Sequence, residues 1–211
     1  MHIIDISWPV GPAITAYKDK KTVEFYPLKN FDADHVRESK ITLGAHTGTH
    51  VDAPSHFVKD GLTIDKIDLQ TIIGQCVVID CTEIDNAIDA DFLKKQAALK
   101  SGQIILLKTK NSALAHGAPF NPDFIFLNHS AAEYCAEQKV KAIGIDYLGI
   151  ERGQPDHATH TALFNTGITI IEGLRLEHVT PGSYFLCCLP LALQGIEAAP
   201  ARAVLLPSIN L

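Results

Sequence analysis

Gln103-Ile-Ile-Leu-Leu-Lys108 and Ala142-Ile-Gly-Ile-Asp146 are short runs of almost wholly apolar residues, and Asn128 to Lys139 between them reads as a helix with Asn128 as its N-cap. A half-exposed strand would alternate apolar and polar residues. Continuous runs of this kind are expected where both faces of a strand are covered. Similar runs recur at Ile3–Trp8, Cys76–Cys81, Ile168–Ile171, Tyr184–Leu189 and Ala203–Leu206. Asp89 to Lys100 reads as a second helix, with an early acidic residue and lysines further along, and His157 to Phe164 as a shorter third. Strands alternating with helices predict an α/β or α+β fold, a mixed sheet with flanking helices. No repeat or low-complexity linker marks a boundary, so residues 1–211 are read as a single domain. Gly11 to Arg37 is polar and irregular. Loops of that length in compact domains are usually functional or mobile, so residues 11–37 are read as a lid or a dimer arm.

Composition excludes several function classes. The 211 residues are 46% hydrophobic and 20% charged, close to the soluble globular average. Net charge is -6 and no run of Lys and Arg offers the basic stripe that phosphate backbones need, so nucleic acid is not an expected partner. The apolar stretch Tyr184 to Leu193 falls well short of the roughly 20 residues that span a bilayer. Met1-His-Ile-Ile-Asp5 lacks the charged-then-apolar pattern of a signal peptide, and a cytoplasmic protein is expected. Cys76, Cys81, Cys135, Cys187 and Cys188 are odd in number and contain no C-x-x-C pair, so all five are read as reduced thiols in or near the core.

The chemistry concentrates in His46-Thr-Gly-Thr-His50-Val-Asp52-Ala-Pro-Ser-His56. Three histidines and an aspartate at even positions would share one face of an extended chain. A straight strand at about 3.3 Å per residue would hold His46 and Asp52 roughly 20 Å apart, too far to share an ion, so the segment must bend. Gly48 allows the bend, and Pro54 biases Ala53 away from helix. His46 and His50 are also spaced i, i+4 for a helix, but β-branched Thr47, Thr49 and Val51 make that helix weak. Two imidazoles and a carboxylate form a familiar first-row metal ligand set that leaves positions open for water or substrate. Any one of these residues alone would be read as structural. Four within eleven residues point to a metal site. Elsewhere, His157-Ala-Thr-His160 places two histidines on neighbouring faces of a candidate helix. Glu172 ends the apolar run Ile168–Ile171, as a solvated terminus or as a ligand on a rigid element.

His46-Thr-Gly-Thr-His50-Val-Asp52-Ala-Pro-Ser-His56-Phe57 resembles the H-x-G-T-H-x-D-x-P-x-H-F signature of the cyclase family of metal-dependent hydrolases, which includes bacterial kynurenine formamidases and isatin hydrolases. Asp5-Ile-Ser7, Gly144-Ile-Asp-Tyr147, Glu172-Gly-Leu174, Pro181-Gly-Ser-Tyr184, Leu189-Pro-Leu191 and Pro200-Ala-Arg202 resemble its other landmarks in order, so the likeness covers nearly the whole chain. The resemblance implies a swivelling β/β/α type domain, commonly a dimer whose N-terminal segment reaches toward the partner's site. It also implies two divalent metal ions per chain, zinc or manganese. By position, His46, His50 and Asp52 would hold one ion, Asp52 and Glu172 would bridge, and His160 would hold the second, with His56 as the acid-base residue.

The expected activity is hydrolysis of a small amide by an arylformamidase-like enzyme, converting N-formylkynurenine to kynurenine and formate with metal-bound hydroxide. Metal ions lower the pKa of bound water toward about 7 and polarise the carbonyl it attacks. An alternative is opening of a cyclic amide or lactone, as in isatin hydrolases. A mononuclear iron oxygenase uses the same two-histidine, one-carboxylate triad, and a metal-binding protein without turnover is a third class. Formamidases of the family tend to carry Trp-Pro-Gly-Asp or Tyr-Pro-Gly-Asp near the start, where this chain has Ala16-Tyr-Lys-Asp-Lys20. Glu197 and Ala198 stand where Asp-Gly is common. Trp8, Tyr17 and Phe57 are candidates for an aromatic wall against an aryl substrate.

Overall fold

The computed structural model describes residues 2–96 and 99–207. Its strands are β1 (Ile4–Asp5), β2 (Glu24–Lys29), β3 (Glu38–Thr42), β4 (His50–Asp52), β5 (Ile73–Asp80), β6 (Ala87–Ile88), β7 (Ile104–Lys108), β8 (Phe126–Leu127), β9 (Ala142–Ile145), β10 (Thr169–Glu172), β11 (Gly182–Pro190) and β12 (Ala198–Pro207). The helices are α1 (Phe31–Asp34), α2 (Ala90–Gln96), α3 (His129–Glu137) and α4 (Ala158–Asn165). The fold is thus mixed α/β. Of the expected helix Asp89 to Lys100, residues 97 and 98 lie outside the described residues. Asn128 caps α3 by accepting from the Ala131 backbone N–H, as its position before the apolar run predicts.

Eight strands form one mixed sheet in the order β1-β12-β11-β5-β7-β9-β10-β4, and β4 also pairs with β12. The hydrogen-bonded circuit therefore closes on itself. β5, β7, β9 and β10 run parallel, whereas β4 is antiparallel to both its neighbours.

The apolar runs are explained by two cores. Along β7, Ile104 and Leu106 point into a cluster with Val51, Ile171, Leu186 and Leu205, enclosed by the sheet. Ile105 and Leu107 point the other way, into a cluster with Leu93, Ala131, Cys135 and Leu163 from the helices. Each such side chain contributes about 1.5–3 kcal/mol when fully buried, and neither face can accept a polar residue cheaply. The cysteines follow the same pattern: all five are free, with four buried and Cys187 partly so.

Gly11 to Arg37 is more regular than its composition predicts. It contains β2 and the single turn α1, and β2 pairs antiparallel with β3 from Glu24 opposite Thr42 to Lys29 opposite Glu38. Phe25 opposes Ile41 in this ladder. Pro27 and the flanking charges hide the strand from a periodicity reading, since Pro removes a ladder donor and is tolerated chiefly at edges and bulges. Every residue of both strands is exposed.

Candidate functional site

The segment carrying the four even-numbered residues is neither a straight strand nor a helix. Gly48 turns the chain with φ of 60°, His50–Asp52 form β4, and Pro54 opens a single 3-10 turn over Pro54–His56. Alternation along β4 sends Val51 into the sheet-enclosed core and leaves His50 and Asp52 together on the other side. β4 is stitched to both neighbours, and its register with β10 sets Glu172 directly opposite His50. Cross-strand partners of this kind share a face.

Gly173 permits this approach. Its φ is 69°, and a Cβ there would lie 2.1 Å from the Gly48 carbonyl oxygen. Thr49 fastens the crossing: its hydroxyl donates to the Gly173 carbonyl at 2.6 Å and accepts from the Trp8 backbone N–H at 2.8 Å. The opposite wall comes from α4, which presents His160 from its first turn. Asp156 and His157 lead into that turn with positive φ values of 53° and 50°, a strained entry for non-glycine residues.

The two walls meet at Asp52. His46 Nδ1 is 2.9 Å and His50 Nε2 3.5 Å from Asp52 Oδ1, and His160 Nε2 is 3.8 Å from Asp52 Oδ2. Glu172 lies 3.4 Å from His50 Nε2 through Oε2 and 3.5 Å from His160 Nε2 through Oε1. The structure thus brings His46, His50, Asp52, His160 and Glu172 together. His56 also reaches the cluster, its ring centroid 4.2 Å from that of His46, and it shares a potential donor group with His46 and Asp52. His50, Asp52 and Glu172 form another such group, and Glu151, His157 and His160 a third.

Among the described residues, both oxygens of Asp52 and the Nε2 atoms of His46 and His50 are buried without a hydrogen-bond partner. Buried charges persist when they are paired or coordinate a metal. Burial alone would lower the His50 imidazole, but Asp52 and Glu172 outweigh it and lift its pKa to about 9. His160 follows the same balance, burial opposed by Glu151, Glu172 and Asp52, and rises to about 10. Burial would raise Glu172, yet the His160 and His50 contacts hold it far below the carboxylate range. Protons on the imidazoles therefore stand where cationic charge is demanded. The donor set, imidazoles and carboxylates with unsatisfied atoms converging on one aspartate, fits divalent metal.

A cavity of about 490 Å³ opens beside the cluster, with His46, His56, His160 and Glu172 on its wall. That is within the usual range for small-molecule sites. Tyr17 and Phe57 also line it, and the Phe57 ring lies 4.4 Å from that of His160. Trp8 is placed elsewhere. Its side chain is 2% exposed in an aromatic cluster with Tyr147 and Phe124, beneath the Arg175 guanidinium, so it packs as core and serves the site through its backbone N–H. Glu151 and Glu197 were not singled out as site residues by the sequence, although Glu197 Oε1 is 3.4 Å from His46 Nε2. Glu151 follows apolar Leu148-Gly-Ile150 directly, as Glu172 follows Ile168–Ile171.

The Cyclase family matches residues 4–152, more than half of the chain. Kynurenine formamidase from Bacillus anthracis is 31% identical over 207 residues, 97% of each chain. A "predicted metal-dependent hydrolase" from Bacillus stearothermophilus superimposes with a TM-score of 0.87 at 40% identity, covering 97% of each chain. An isatin hydrolase bound to thioisatinate shares the fold, with a TM-score of 0.85 at 24% identity over 98% of this chain and 92% of its own. With residues 4–152 spanning the His46–His56 signature and the relatives matching nearly end to end, the chain belongs to the Cyclase family.

Proposed function

We propose that this chain is a metal-dependent amidohydrolase acting on an aryl formamide, with N-formylkynurenine as the first substrate to test and kynurenine and formate as products. Asp52 carries the reading. Both its oxygens are buried without hydrogen-bond partners and face His46, His50 and His160, while a second buried carboxylate, Glu172, shares His50 and His160. Two adjacent buried anions favour two cations over the single ion of an iron oxygenase triad. We assign His46, His50 and Asp52 to one divalent ion, and Asp52, Glu172 and His160 to the other, with zinc and manganese as the candidates. When bound, such ions polarise a carbonyl and lower the pKa of water enough to supply hydroxide near neutral pH.

The remaining work falls to the chain's own side chains. His56 is half-buried, and burial holds its imidazole below the usual histidine value, so it is neutral at neutral pH. It can take a proton from the attacking water and return it to the departing amine nitrogen. Phe57 and Tyr17 offer an aromatic wall to the aryl ring. Burial, with Glu172 and Glu151 nearby, raises the Tyr17 phenol and keeps it a hydrogen-bond donor. The arm formed by β2, α1 and β3 exposes Phe25, Leu28, Phe31, Val36 and Ile41. That apolar surface supports a homodimer in which the arm lies on the partner, and a solution mass of one chain would remove that reading. Five free thiols suit the reducing cytoplasm. Among the described residues no helix is long and apolar enough to cross a membrane.

The test is metal content of the purified protein together with N-formylkynurenine hydrolysis before chelation, after it, and after metal return. Two ions and chelator-sensitive turnover support the proposal. Two ions without turnover would redirect the substrate to cyclic amides and lactones, and absence of stoichiometric metal would overturn the hydrolase reading.

A further inference from the structure

Glu151 is 7% exposed and contacts no part of the His46–His56 segment in the donor groups above, yet it holds the opposite wall together. Its Oε1 accepts from His157 Nδ1 at 2.7 Å. Its Oε2 accepts the backbone N–H of His160 at 3.1 Å and lies 3.2 Å from His160 Nδ1. The N-cap residue of α4, His157, makes no capping bond with its side chain. A carboxylate from the loop that leads into α4 therefore satisfies an orphan N–H in the first turn, where negative charge is also favoured by the helix dipole.

His50 shows the equivalent arrangement on the other wall. Its Nδ1 is 2.8 Å from the Gly48 carbonyl oxygen, which leaves Nε2 facing Asp52 and Glu172. His160 also turns Nε2 toward Asp52 and Glu172, and its Nδ1 is buried with no well-aligned hydrogen bond, facing Glu151 Oε2. Metal-ligating histidines almost always donate their other ring N–H to a carboxylate or carbonyl, which fixes the tautomer and ring orientation.

We propose that Glu151 is the positioning residue for His160: it ties down the first turn of α4 and keeps the ring proton on Nδ1, so that the Nε2 lone pair faces Asp52 and Glu172. The role of His160 as a metal ligand rests on the proposed function; the role of Glu151 in setting its tautomer and orientation does not.

Titration of metal-free wild type, Glu151→Gln and Glu151→Ala with Zn²⁺ against a competing chelator tests the first part. Glu151→Ala should weaken the second ion by about 10–100-fold and leave the first unchanged. Glu151→Gln keeps an acceptor for Nδ1–H and should recover most of that loss, and it covers the case in which Glu151→Ala folds poorly. Nitrogen-15 NMR of the metal-free proteins at high pH should show His160 as the Nδ1–H tautomer in wild type and a mixture in Glu151→Ala. Equal second-ion affinity in all three proteins with an unchanged tautomer would overturn the proposal. So would a Glu151→Gln variant as deficient as Glu151→Ala with one ion fewer, because Glu151 would then be a ligand. A wild type that takes up one ion sinks the two-ion reading instead, and the tautomer measurement still decides the role of Glu151.

Discussion

The two walls of the site are built by different means. One is a β wall: His50 and Asp52 on β4 and Glu172 on β10 are fixed by strand register, and the Thr49 hydroxyl and the Gly48–Gly173 approach lock the crossing. The other is an α wall: His160 depends on the first turn of an eight-residue helix entered through two strained residues and tied by the Glu151 carboxylate of the preceding loop. Rigid paired strands hold ligands through backbone bonds shared along the ladder, whereas a helix terminus holds them through whatever satisfies its orphan groups. The β wall should therefore tolerate side-chain changes around it, and the α wall should be tuned by its neighbours.

The largest expected effect is at Asp52, where the walls meet. Asp52→Ala should abolish binding of both ions and lower turnover by about 10⁴-fold or more, the scale seen when a member of a catalytic unit is removed. Metal analysis and a formamidase assay on the same preparation check this. If one ion stayed bound at full affinity, the walls would be independent sites and Asp52 would not join them. Next comes His56, which projects from the β wall toward the α wall, its ring centroid 6.0 Å from that of His160. His56→Ala should keep both ions and lose about 10²–10⁴-fold in turnover, the usual contribution of general acid-base catalysis. Loss of metal with turnover would make His56 a ligand of the His46–Asp52 group instead.

The same contrast decides what could be read from the sequence. The β4 part of the β wall was legible because its residues are local: alternation places His50 and Asp52 on one side, and the distance argument demands the bend that Gly48 supplies. The continuous apolar runs likewise announced strands with two covered faces, as β7 confirms through its contacts with both cores. The ligand roles of Glu172 in the β wall and His160 in the α wall were legible only through resemblance. Nothing near Glu172 indicates that it will stand opposite His50, because register between β4 and β10 is a property of the closed sheet. Glu151 had no local partner at all, since His157 and His160 reach it only after the loop turns through Gly153 and Asp156. The arm was hidden for another reason. Its strands bury none of their side chains, so no periodicity marks them.

A smaller effect joins both walls through pH. In the metal-free protein His50 and His160 have pKa values raised to about 9 and about 10, above the usual histidine value of about 6.5. Groups raised in this way stabilise the folded metal-free protein fully below about pH 6.5, and that contribution is lost as pH rises through 9 and 10. Metal displaces the same protons, so its affinity should rise over that window. The gain in Tm on adding Zn²⁺ should be larger at pH 8.5 than at pH 6.5, with proton release on binding detectable in weak buffer. A gain independent of pH would mean that the ions do not contact these two imidazoles.

The smallest effect should come from His157, although it is the closest partner of Glu151 at 2.7 Å. Its side chain is 59% exposed, and exposed ion pairs are worth about 1 kcal/mol or less. Its ring packs on Phe57 with centroids 4.3 Å apart, and none of its atoms joins a donor group containing Asp52 or Glu172. His157→Ala should therefore leave two ions bound, with second-ion affinity within about five-fold of wild type, the equivalent of about 1 kcal/mol. Any larger change belongs in substrate binding, read as a rise in KM with kcat preserved, because His157 and Phe57 line the cavity together. A loss of the second ion as large as that of Glu151→Ala would place the anchor of the α wall in the His157–Glu151 pair, and its strength would then depend on the very exposure that strand pairing avoids at His50.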